Sequence, residues 1–593
     1  MSKPVFRLAV ALLLSGSASL RGQTCGPWTW TNPLPQGNTL RGVAYGDGQY
    51  VAVGQAGSIV ASRDGQSWEL RRSGAVAELL DVAWNGEVFL AVGAGGTALT
   101  SPDGETWSHA FTGTSADLRR AVWTGAQFVV VGDPGAILSS PDGWTWTVRS
   151  LGDDVSLDDV SWSGSLLVAV GEVGTIATSV DGSTWRRVDI PTTDHLLGIA
   201  WNGSRYAVVG GGFPLTQRAY WSDDGSTWRE AALALGASFH RVAWTGSEFL
   251  AVGEYGAVMA SADGTQWARR SAGTAMDLNG FAMGPGGFVA VGKRGAVFGS
   301  VDGVAWSSLA AGPRADFSDV AWNGSVYVAV GAEGSIAVSE DAMVWKRQAS
   351  GATRWLLGVA WNGRVFAAVG AAGTILTSSD GLAWTDRSPG VQDVLHGILW
   401  DGQRFVAVGS GGIVLTSSDG SLWSRHWAGI RNSLFSVAWN GSRYVAVGAD
   451  RARILLTSSD AETWTESIAS GNEPPLHDVV WSGEQFLAVG AEGRVLTSPD
   501  GVLWEEGSAG VAGALFSVAS SGSLYEAVGE DGASVESTDG RLWTPRDSGT
   551  SSDLYGVSFV GSRWIGLGKG GAILDGGCSA SQNRSPRRVA RPN

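Results

Sequence analysis

Thirteen aspartates occupy the same place in a recurring Ser-x-Asp segment, each four residues before a tryptophan. Carboxylates are ligands that Ca²⁺ prefers, so repeated metal binding is one interpretation of the pattern. The other is structural, because Asp accepts hydrogen bonds from its own turn and a ligand site rarely needs thirteen equivalent turns. We predict the structural role for Asp64, Asp103, Asp142, Asp181, Asp224, Asp263, Asp302, Asp341, Asp380, Asp419, Asp460, Asp500 and Asp539.

Eleven other side chains are candidates for ligand binding, because they lie where the recurring segments vary from copy to copy. An exposed tryptophan can stack on a sugar or anchor a protein partner, and paired carboxylates can act as glycosidase acid and base. Local loop packing and a solvated acidic rim are the alternatives. The candidates are Trp221, Trp355, Trp427, Arg120, Arg241, Arg354, His240, His396, His477, Asp159 and Asp478.

Neither a metal nor a cofactor is expected. The six histidines are scattered and show no metal-ligand spacing. The chain also contains no recognisable catalytic motif, so any activity has to come from the variable residues.

A repeat of about forty residues must position all of these side chains. The tryptophans that follow the Ser-x-Asp segments, such as Trp68, Trp107, Trp146 and Trp185, are mostly 39 residues apart. A period of this length is typical of a solenoid or a propeller.

Each repeat contains four strand signals, as residues 356–390 illustrate. A first strand ends at Trp361, and Asn362-Gly363 favours a tight hairpin turn into the second strand. A turn containing Gly370 and Gly373 leads to the third strand, and the Ser-x-Asp turn leads to the fourth. Four short antiparallel strands without helical periodicity predict an all-β propeller blade.

The second-strand signal occurs 14 times and the Ser-x-Asp segment 13 times. The chain starts with an apparent lone fourth strand, residues 28–34, and ends after three strands of a last unit. The lone strand can therefore complete the last blade and close a ring without an edge strand. Rings of 4–8 blades are usual, so we predict two seven-bladed propellers in tandem, 25–300 and 301–578. One large closed ring is the alternative.

The Ser-x-Asp segments resemble the Asp-box, or BNR, repeat of the sialidase-like propeller superfamily, over residues 28 to 575. All thirteen keep Ser, Asp and Trp, and eleven have Gly after Asp. The usual box, Ser-x-Asp-x-Gly-x-x-Trp, has one more residue between Asp and Trp. The resemblance implies a propeller. Tandem propellers of this kind are similar to xyloglucan-cleaving glycosidases, and single ones to photosystem assembly factors and sortilin-type receptors.

The N-terminal segment suggests export. Lys3 and Arg7 precede a short apolar run and small residues, which is typical of a signal peptide, here 1–19. The apolar run is too short for a transmembrane anchor.

Cys25 and Cys578 stand at opposite ends of the repeats. Export of a protein with two cysteines favours a disulfide between them, and two free thiols are the alternative. The basic segment 579–593 is predicted to be disordered.

Charge narrows the possible partners. The chain carries 41 basic and 56 acidic residues, a net charge of −15, so nucleic acid and anionic membranes are disfavoured. We predict a periplasmic or extracellular monomer that is not an enzyme and binds a protein or glycan through its loop face. The loop face is the face that carries the loops from fourth to first strands and from second to third strands. The candidates predicted on these loops include Arg120, Asp159, His240, Arg241, Arg354, His396, His477 and Asp478. A tandem-propeller glycoside hydrolase and an envelope assembly or scaffold factor are the alternatives.

Overall fold

The computed structural model describes residues 28–32, 36–151, 155–190, 192–212, 216–233, 238–309, 312, 315–449, 453–467 and 473–576. The predicted signal peptide, both cysteines and the predicted basic tail lie outside these residues. Over the described part the chain is all-β, arranged in fourteen antiparallel sheets that we call blades 1–14. No described helix is long and apolar enough to cross a membrane.

The first strand of each blade is innermost in its ring. In blades 1–7 the first strands are Leu40–Gly46, Leu79–Trp84, Asp117–Trp123, Leu157–Trp162, His195–Trp201, Phe239–Trp244 and Leu278–Gly284. In blades 8–14 they are Phe317–Trp322, Leu356–Trp361, Leu395–Trp400, Ser433–Trp439, Leu476–Trp481, Leu515–Ser520 and Leu554–Val560.

The second strands pair with the first. In blades 1–7 they are Gln49–Gly54, Phe89–Gly93, Phe128–Asp133, Leu167–Gly171, Tyr206–Gly212, Phe249–Gly253 and Gly287–Gly292. In blades 8–14 they are Tyr327–Gly331, Phe366–Gly370, Phe405–Gly409, Tyr444–Ala449, Phe486–Gly490, Tyr525–Gly529 and Arg563–Gly568.

The third strands follow a short turn. In blades 1–7 they are Ile59–Ser62, Ala98–Ser101, Ala136–Ser140, Ile176–Ser179, Thr216–Ser222, Ala257–Ser261 and Val297–Ser300. In blades 8–14 they are Ile336–Ser339, Ile375–Ser378, Ile413–Ser417, Arg453–Ser458, Arg494–Ser498, Ser534–Ser537 and Ile573–Asp575. In eleven blades the turn is a single 3₁₀ turn: Gln55–Gly57, Ala94–Gly96, Glu172–Gly174, Glu254–Gly256, Lys293–Gly295, Ala332–Gly334, Ala371–Gly373, Ser410–Gly412, Ala491–Gly493, Glu530–Gly532 and Lys569–Gly571.

The fourth strands form the outer edge. In blades 1–7 they are Glu69–Arg71, Ser108–Ala110, Thr147–Ser150, Arg186–Val188, Arg229–Glu230, Gln266–Ser271 and Ser307–Ser308. In blades 8–13 they are Lys346–Gln348, Thr385–Asp386, Ser424–Trp427, Thr465–Glu466, Glu505–Ser508 and Thr544–Pro545. Blade 6 gains a fifth strand, Ala232–Leu233, which pairs in parallel with Gln266–Ser271.

The first strands close two separate rings. Leu40–Gly46 contacts Leu278–Gly284, which joins blade 1 to blade 7. Phe317–Trp322 contacts Leu554–Val560, which joins blade 8 to blade 14. The prediction of two seven-bladed propellers is confirmed, and the alternative of one large ring is wrong.

The fourth strand of blade 14 comes from the start of the repeats. Thr29–Asn32 pairs antiparallel with Ile573–Asp575, with Thr29 opposite Asp575. This strand therefore belongs to the second propeller, although the predicted range of the first began at residue 25. Ser307–Ser308 likewise pairs with Val297–Ser300, so the predicted boundary after residue 300 falls inside the sheet of blade 7.

A polar network anchors this closing strand. Trp28 Nε1 donates to Ser534 Oγ (3.0 Å), and Ser534 Oγ donates to Glu526 Oε1 (2.6 Å). Arg546 pairs with Glu526 (2.7 Å) and lies 5.0 Å from the centre of the Trp28 ring. Burial raises the pKa of Glu526 to about 7 even beside Arg546. Glu526 occupies a second-strand position that is apolar in most blades, so the network explains this departure from the repeat.

Aromatic side chains fill each blade in a repeating row. Trp84 of the first strand of blade 2 lies 4.3 Å from Phe89 of the second, and Phe89 lies 6.4 Å from Trp107 after the Ser-x-Asp turn, measured between ring centres. The same row recurs in most other blades. Offset aromatic contacts of this kind stabilise a core beyond simple burial.

Each Ser-x-Asp turn is held together by its own carboxylate. In blade 2, Asp103 Oδ1 accepts the N–H groups of Glu105 and Thr106 (both 2.9 Å) and the hydroxyl of Ser101 (3.0 Å). In all thirteen turns the aspartate accepts the N–H of the residue two positions later. These carboxylates accept hydrogen bonds within their own turns.

One buried side chain joins the two propellers. Asn38 Nδ2 donates to Ser58 Oγ of blade 1 (2.8 Å) and to Gly549 O of the second propeller (2.7 Å). Thr550 Oγ1 donates to Asn38 Oδ1 (2.7 Å). Since Asn38 is fully buried, these bonds fix the relative position of the propellers at this point.

The aspartates of the Ser-x-Asp turns make the stability of the protein depend on pH. Hydrogen bonds from the N–H groups of Thr463 and Glu462 lower the pKa of Asp460 to about 2. A lowered folded-state pKa adds stability above the unfolded pKa of about 4, and this stability is lost as the pH falls toward 2. We therefore expect the stability difference between wild type and Asp460→Asn, measured by urea unfolding, to be largest above pH 4 and to vanish near pH 2. Asp531→Asn, which removes an exposed carboxylate outside these turns, is the control, and a pH-independent difference for Asp460→Asn would contradict the account.

Candidate functional site

A bulge in every first strand determines what faces the axis of each propeller. In blade 10, Leu395 pairs with Gly409 and Gly397 pairs with Val408, so His396 between them has no partner. The same shift occurs in all fourteen blades. Bulges re-aim side chains, and the unpaired residues line the two central channels. We call the unpaired residue the channel position and the next residue the wall position.

The channel of the first propeller is small and mixed in character. It has a volume of about 230 Å³. Its channel positions, in blade order, are Arg41, Leu80, Arg119, Asp158, Leu197, His240 and Asn279. Arg119 pairs with Asp158 (3.1 Å) and Asp133 (3.2 Å), and Arg41 pairs with Glu78 (2.8 Å). Burial, only partly offset by Arg119, raises the pKa of Asp158 to about 6.

Buried ion pairs link the wall positions of this propeller. Arg120 Nη1 lies 2.5 Å from Asp81 Oδ1, and Arg120 Nε lies 3.1 Å from Asp159 Oδ1 without hydrogen-bond alignment. Arg241 Nη1 donates to Asp159 Oδ1 (2.8 Å). Glycine at the wall position of blade 1 makes room for Asp81, because a methyl group on Gly42 would lie 2.8 Å from the Asp81 Cα.

The charges of this network balance within the protein. Burial opposes the charge of Arg120, but Asp81 and Asp159 outweigh it and raise its pKa. Burial and then the neighbouring Arg120 lower the pKa of Arg241. Two arginines thus face two aspartates in a closed set, and Arg120, Asp159 and Arg241 make contacts that hold blades together.

The channel of the second propeller is larger and aromatic. Its volume is about 380 Å³. The channel positions, in blade order, are Ser318, Leu357, His396, Phe435, His477, Phe516 and Tyr555. The last five form a continuous row, with successive ring centres 5.2, 6.2, 5.6 and 6.1 Å apart. We call these five residues the aromatic ring.

Local hydrogen bonds orient the two imidazoles of the aromatic ring. His477 Nδ1 donates to Leu515 O (2.9 Å), and His396 Nε2 shares a hydrogen bond with Ser410 Oγ (3.2 Å). Burial lowers the pKa of His396. Because Ser410 belongs to the turn between second and third strands, the aromatic ring lies at the end of the channel that opens on the loop face.

Two wall-position carboxylates line the same channel. Asp319 accepts the N–H groups of Val320 and Val359 (both 2.8 Å). Asp478 accepts the N–H groups of Val479 (2.8 Å) and Val518 (2.9 Å) and the hydroxyl of Ser517 (2.9 Å). Burial raises the pKa of Asp319 to about 7 and also raises the pKa of Asp478.

The structure corrects the placement of seven sequence candidates. Arg120, Asp159, His240, Arg241, His396, His477 and Asp478 were predicted on the loops of one face, and instead lie on first strands. These residues lie at or directly after the bulge near the start of their first strands, so residues assigned to loops belong to strands around the two channels. The structure brings His396, His477 and Asp478 together in the second channel and the other four together in the first.

The remaining candidates occupy three different places. Trp355, 40% exposed, donates from Nε1 to Ser318 Oγ (3.1 Å) and so borders the second channel beside the exposed Arg354. Trp427, 60% exposed, ends the outer strand of blade 10 and donates to Ile430 O (2.7 Å). Trp221 is the penultimate residue of a third strand, near the opposite face, and the guanidinium groups of Arg205 and Arg229 lie 4.1 Å and 4.8 Å from the centre of its ring. Trp221 therefore lies away from the loop face.

Sequence reasoning missed Phe435, Phe516 and Tyr555 as site residues. A signal for them is available when the fourteen repeats are aligned on their first strands. It is the column of residues directly after the first apolar residue of each first strand. Read down blades 8–14, that column gives Ser, Leu, His, Phe, His, Phe and Tyr, which is far more aromatic than the same column in blades 1–7.

A cleft lies between the propellers. It has a volume of about 800 Å³ and is lined by Arg294 of the first propeller and by Asp316, Glu333, Lys346 and Arg347 of the second. Asp316 Oδ1 accepts the N–H of Gly570 (2.8 Å). The described residues contain no cluster of three or more His, Cys, Asp or Glu side chains that could hold a metal ion.

Comparisons with known proteins support the fold. No family model matches the chain, and no curated protein matches it. The chain is similar to a GH74 xyloglucanase from Xanthomonas campestris, with a TM-score of 0.58 and 14% identity over 93% of this chain and 100% of that chain. At this identity the likeness shows a shared propeller fold.

Two structures of YCF48 also match. One is bound to a D1 peptide, with a TM-score of 0.39 and 21% identity over 46% of this chain and 96% of that chain. The other is from Cyanidioschyzon merolae, with a TM-score of 0.38 and 18% identity over 45% of this chain and 96% of that chain.

The wall network of the first propeller predicts unequal roles for two adjacent arginines. Arg120→Met leaves Asp81 without its cation and Asp159 with one fewer, and unpaired buried charges cost about 3–5 kcal/mol. Arg119→Met removes partly exposed pairs, which are worth about 1 kcal/mol or less. Urea unfolding at pH 7 measures both losses, and an Arg120→Met protein as stable as Arg119→Met would contradict the assignment.

Proposed function

We propose that this protein is an exported, non-catalytic binding protein that receives a protein or carbohydrate on the loop face of its second propeller. The observation that carries the proposal is the aromatic ring around the mouth of the second channel. Concave sites lined by aromatic side chains with a few polar groups are typical of ligand binding, and aromatic anchors supply most of the energy at many interfaces.

The first propeller offers a weaker site at the equivalent place. Its smaller channel is lined by charged groups that pair with one another, as Arg119 does with Asp158. A ligand there would have to compete with these pairs. In the second propeller Trp355 borders the channel with 40% of its surface exposed, which extends the aromatic surface onto the loop face.

Loss of binding in channel variants tests the proposal. The mature protein is applied to a glycan array and used in a pull-down from envelope extract. The affinity of the retained ligand is then compared between the wild type and the variants Phe435→Ala and Phe516→Ala. Loss of a central aromatic anchor, worth about 2 kcal/mol, should weaken binding about thirtyfold. The control is Phe111→Ala in the first propeller, whose side chain is 89% exposed.

The outcomes separate the possible ligand classes. A glycan hit that both channel variants lose supports carbohydrate binding, and an envelope protein lost in the same way supports an assembly or scaffold role. Wild-type affinity in both channel variants, with folding verified by circular dichroism, contradicts the proposed site.

Glycoside hydrolysis is a second candidate because of the cleft between the propellers. Asp316 and Glu333 both line it, and two carboxylates can act as acid and base on a glycosidic bond. The GH74 neighbour is a xyloglucanase, so xyloglucan belongs in the substrate panel. Release of reducing sugar by wild type but not by Glu333→Gln would favour this function, and no release from any polysaccharide would exclude it.

Export implies an oxidising compartment, and a Cys25–Cys578 disulfide is part of the proposal. In support of this, Thr29 and Asp575, which lie close in sequence to Cys25 and Cys578 respectively, pair with each other in the sheet of blade 14. A disulfide there should add roughly 2–5 kcal/mol by constraining the unfolded chain. Cys25→Ser should therefore lower the melting temperature of protein purified from the periplasm to the same value as Cys578→Ser. Two alkylatable thiols in native wild-type protein would contradict the bond.

A further inference from the structure

The two propellers use the same carboxylate position but neutralise it differently. In the first, Asp81 and Asp159 accept the N–H groups of Ala121 (3.0 Å) and Ile199 (2.9 Å) on the next blade, and both also pair with Arg120. In the second, Asp319 and Asp478 make the equivalent bonds to the next blade. Among the described residues that line the second channel, however, none is a lysine or an arginine.

The pKa values of Asp319 and Asp478 reflect burial without a neighbouring cation. Burial raises the pKa of both Asp319 and Asp478, and the negative charge of Asp478 adds to the effect at Asp319. Hydrogen bonds from N–H groups oppose the rise but do not cancel it. A positive charge placed in the channel would offset this unfavourable term.

The aromatic ring supplies a second attraction for the same kind of ligand. The face of a single phenyl or phenol group is electron-rich and attracts a cation within about 6 Å of its centre. Phe435, Phe516 and Tyr555 carry such faces, and His396 adds no opposing charge near neutral pH because burial lowers its pKa. The channel of about 380 Å³ greatly exceeds the roughly 30 Å³ of one water molecule, so it has room for an organic group.

We propose that the channel of the second propeller binds an organic cation, an alkylammonium or guanidinium group, between the aromatic ring and the carboxylates of Asp319 and Asp478. The inference rests on the proposed function, because it gives the chemistry of the ligand at the same site. The cation has two possible sources, a free amine or a Lys or Arg side chain of a partner protein. Both present the same group to the channel.

Calorimetric titration with simple probes tests the charge requirement. n-Butylammonium and n-butylguanidinium should bind at pH 8 and fixed ionic strength, and neutral n-pentanol should bind at least about tenfold more weakly. Asp478→Asn keeps the shape of the side chain and should lose about tenfold in affinity for the cations but not for pentanol. The control Asp531→Asn removes an exposed carboxylate elsewhere and should change nothing.

A second variant tests the aromatic contribution independently of the carboxylates. Phe435→Leu keeps an apolar side chain but removes the aromatic face, so it should weaken cation binding by about five- to thirtyfold, as expected for the loss of a cation–π contact. Because this variant leaves both aspartates in place, it stays informative if Asp478→Asn fails to fold. Unchanged cation affinity in Phe435→Leu or in a folded Asp478→Asn overturns the inference.

The pH dependence adds a further arm. The titratable groups that face the channel are Asp319, Asp478, His396, His477 and Tyr555. Cation affinity should rise between pH 6 and pH 8, because Asp319, with its pKa raised to about 7, loses its proton in this interval. An unchanged or falling affinity contradicts the inference.

Peptide probes identify the source of the cation. The peptide acetyl-Gly-Lys-Gly-amide binding about tenfold more tightly than n-butylammonium assigns the site to a partner's side chain, and equal affinities assign it to a free amine. Its acetyl-lysine counterpart should not bind. Equal binding of pentanol and the amines, or variant-sensitive binding of K⁺ or Ca²⁺ in their place, overturns the inference. If the amines fail to bind while Phe435→Ala still loses the glycan or protein ligand, the proposed function stands and the cation inference fails. If Phe435→Ala also keeps its ligand, the proposed function and the cation inference both fail.

Discussion

A hydrogen bond between neighbouring blades underlies the organisation of both propellers. Each first strand is an edge strand, so some of its N–H groups find no partner within the blade, and buried N–H groups must be satisfied. Four wall-position aspartates, Asp81, Asp159, Asp319 and Asp478, accept such an N–H from the next blade. The bond joins adjacent blades at the axis, but it places a negatively charged carboxylate at the wall of the channel.

The two propellers solve the resulting charge problem in opposite ways. In the first, Arg120 and Arg241 neutralise the carboxylates, and the ion pairs help to fill the channel. In the second, the corresponding positions are glycine or serine apart from the two aspartates, and the channel positions are mostly aromatic. The carboxylates of the first channel are therefore neutralised by its own arginines, whereas the second channel is larger and keeps aromatic faces and negative charge. This difference, on nearly identical blades, is why the second propeller is the proposed binding domain.

Much of the fold follows from local sequence signals. The tryptophan period and the Asn-Gly turns predicted fourteen four-stranded blades, and the usual size of a ring favoured two propellers. The mismatch between 14 second strands and 13 Ser-x-Asp segments predicted that the first segment completes the last blade. These signals are local, and each is repeated often enough to be unambiguous. The blade boundaries were less accurate, because the closing strand Thr29–Asn32 lies far in sequence from its partner Ile573–Asp575.

The site was less predictable because ring closure, rather than sequence proximity, assembles it. Phe435 and His477 are neighbours only because consecutive blades surround one axis, and each points there only because a bulge interrupts its strand. Periodicity places these residues at strand starts but does not show which way they face. His396, His477 and Asp478 were recognised by chemical type, whereas Phe435 and Phe516 look like ordinary core residues in the sequence.

The most direct test is a crystal structure of the mature protein soaked with n-butylammonium. The account predicts the cation in the second channel, with its nitrogen within about 4 Å of an Asp319 or Asp478 oxygen and its alkyl chain against the aromatic ring. The first channel should contain no cation, since Arg120 and Arg241 already neutralise its aspartates. A cation in the first channel instead, or a second channel filled by its own side chains, would contradict the account.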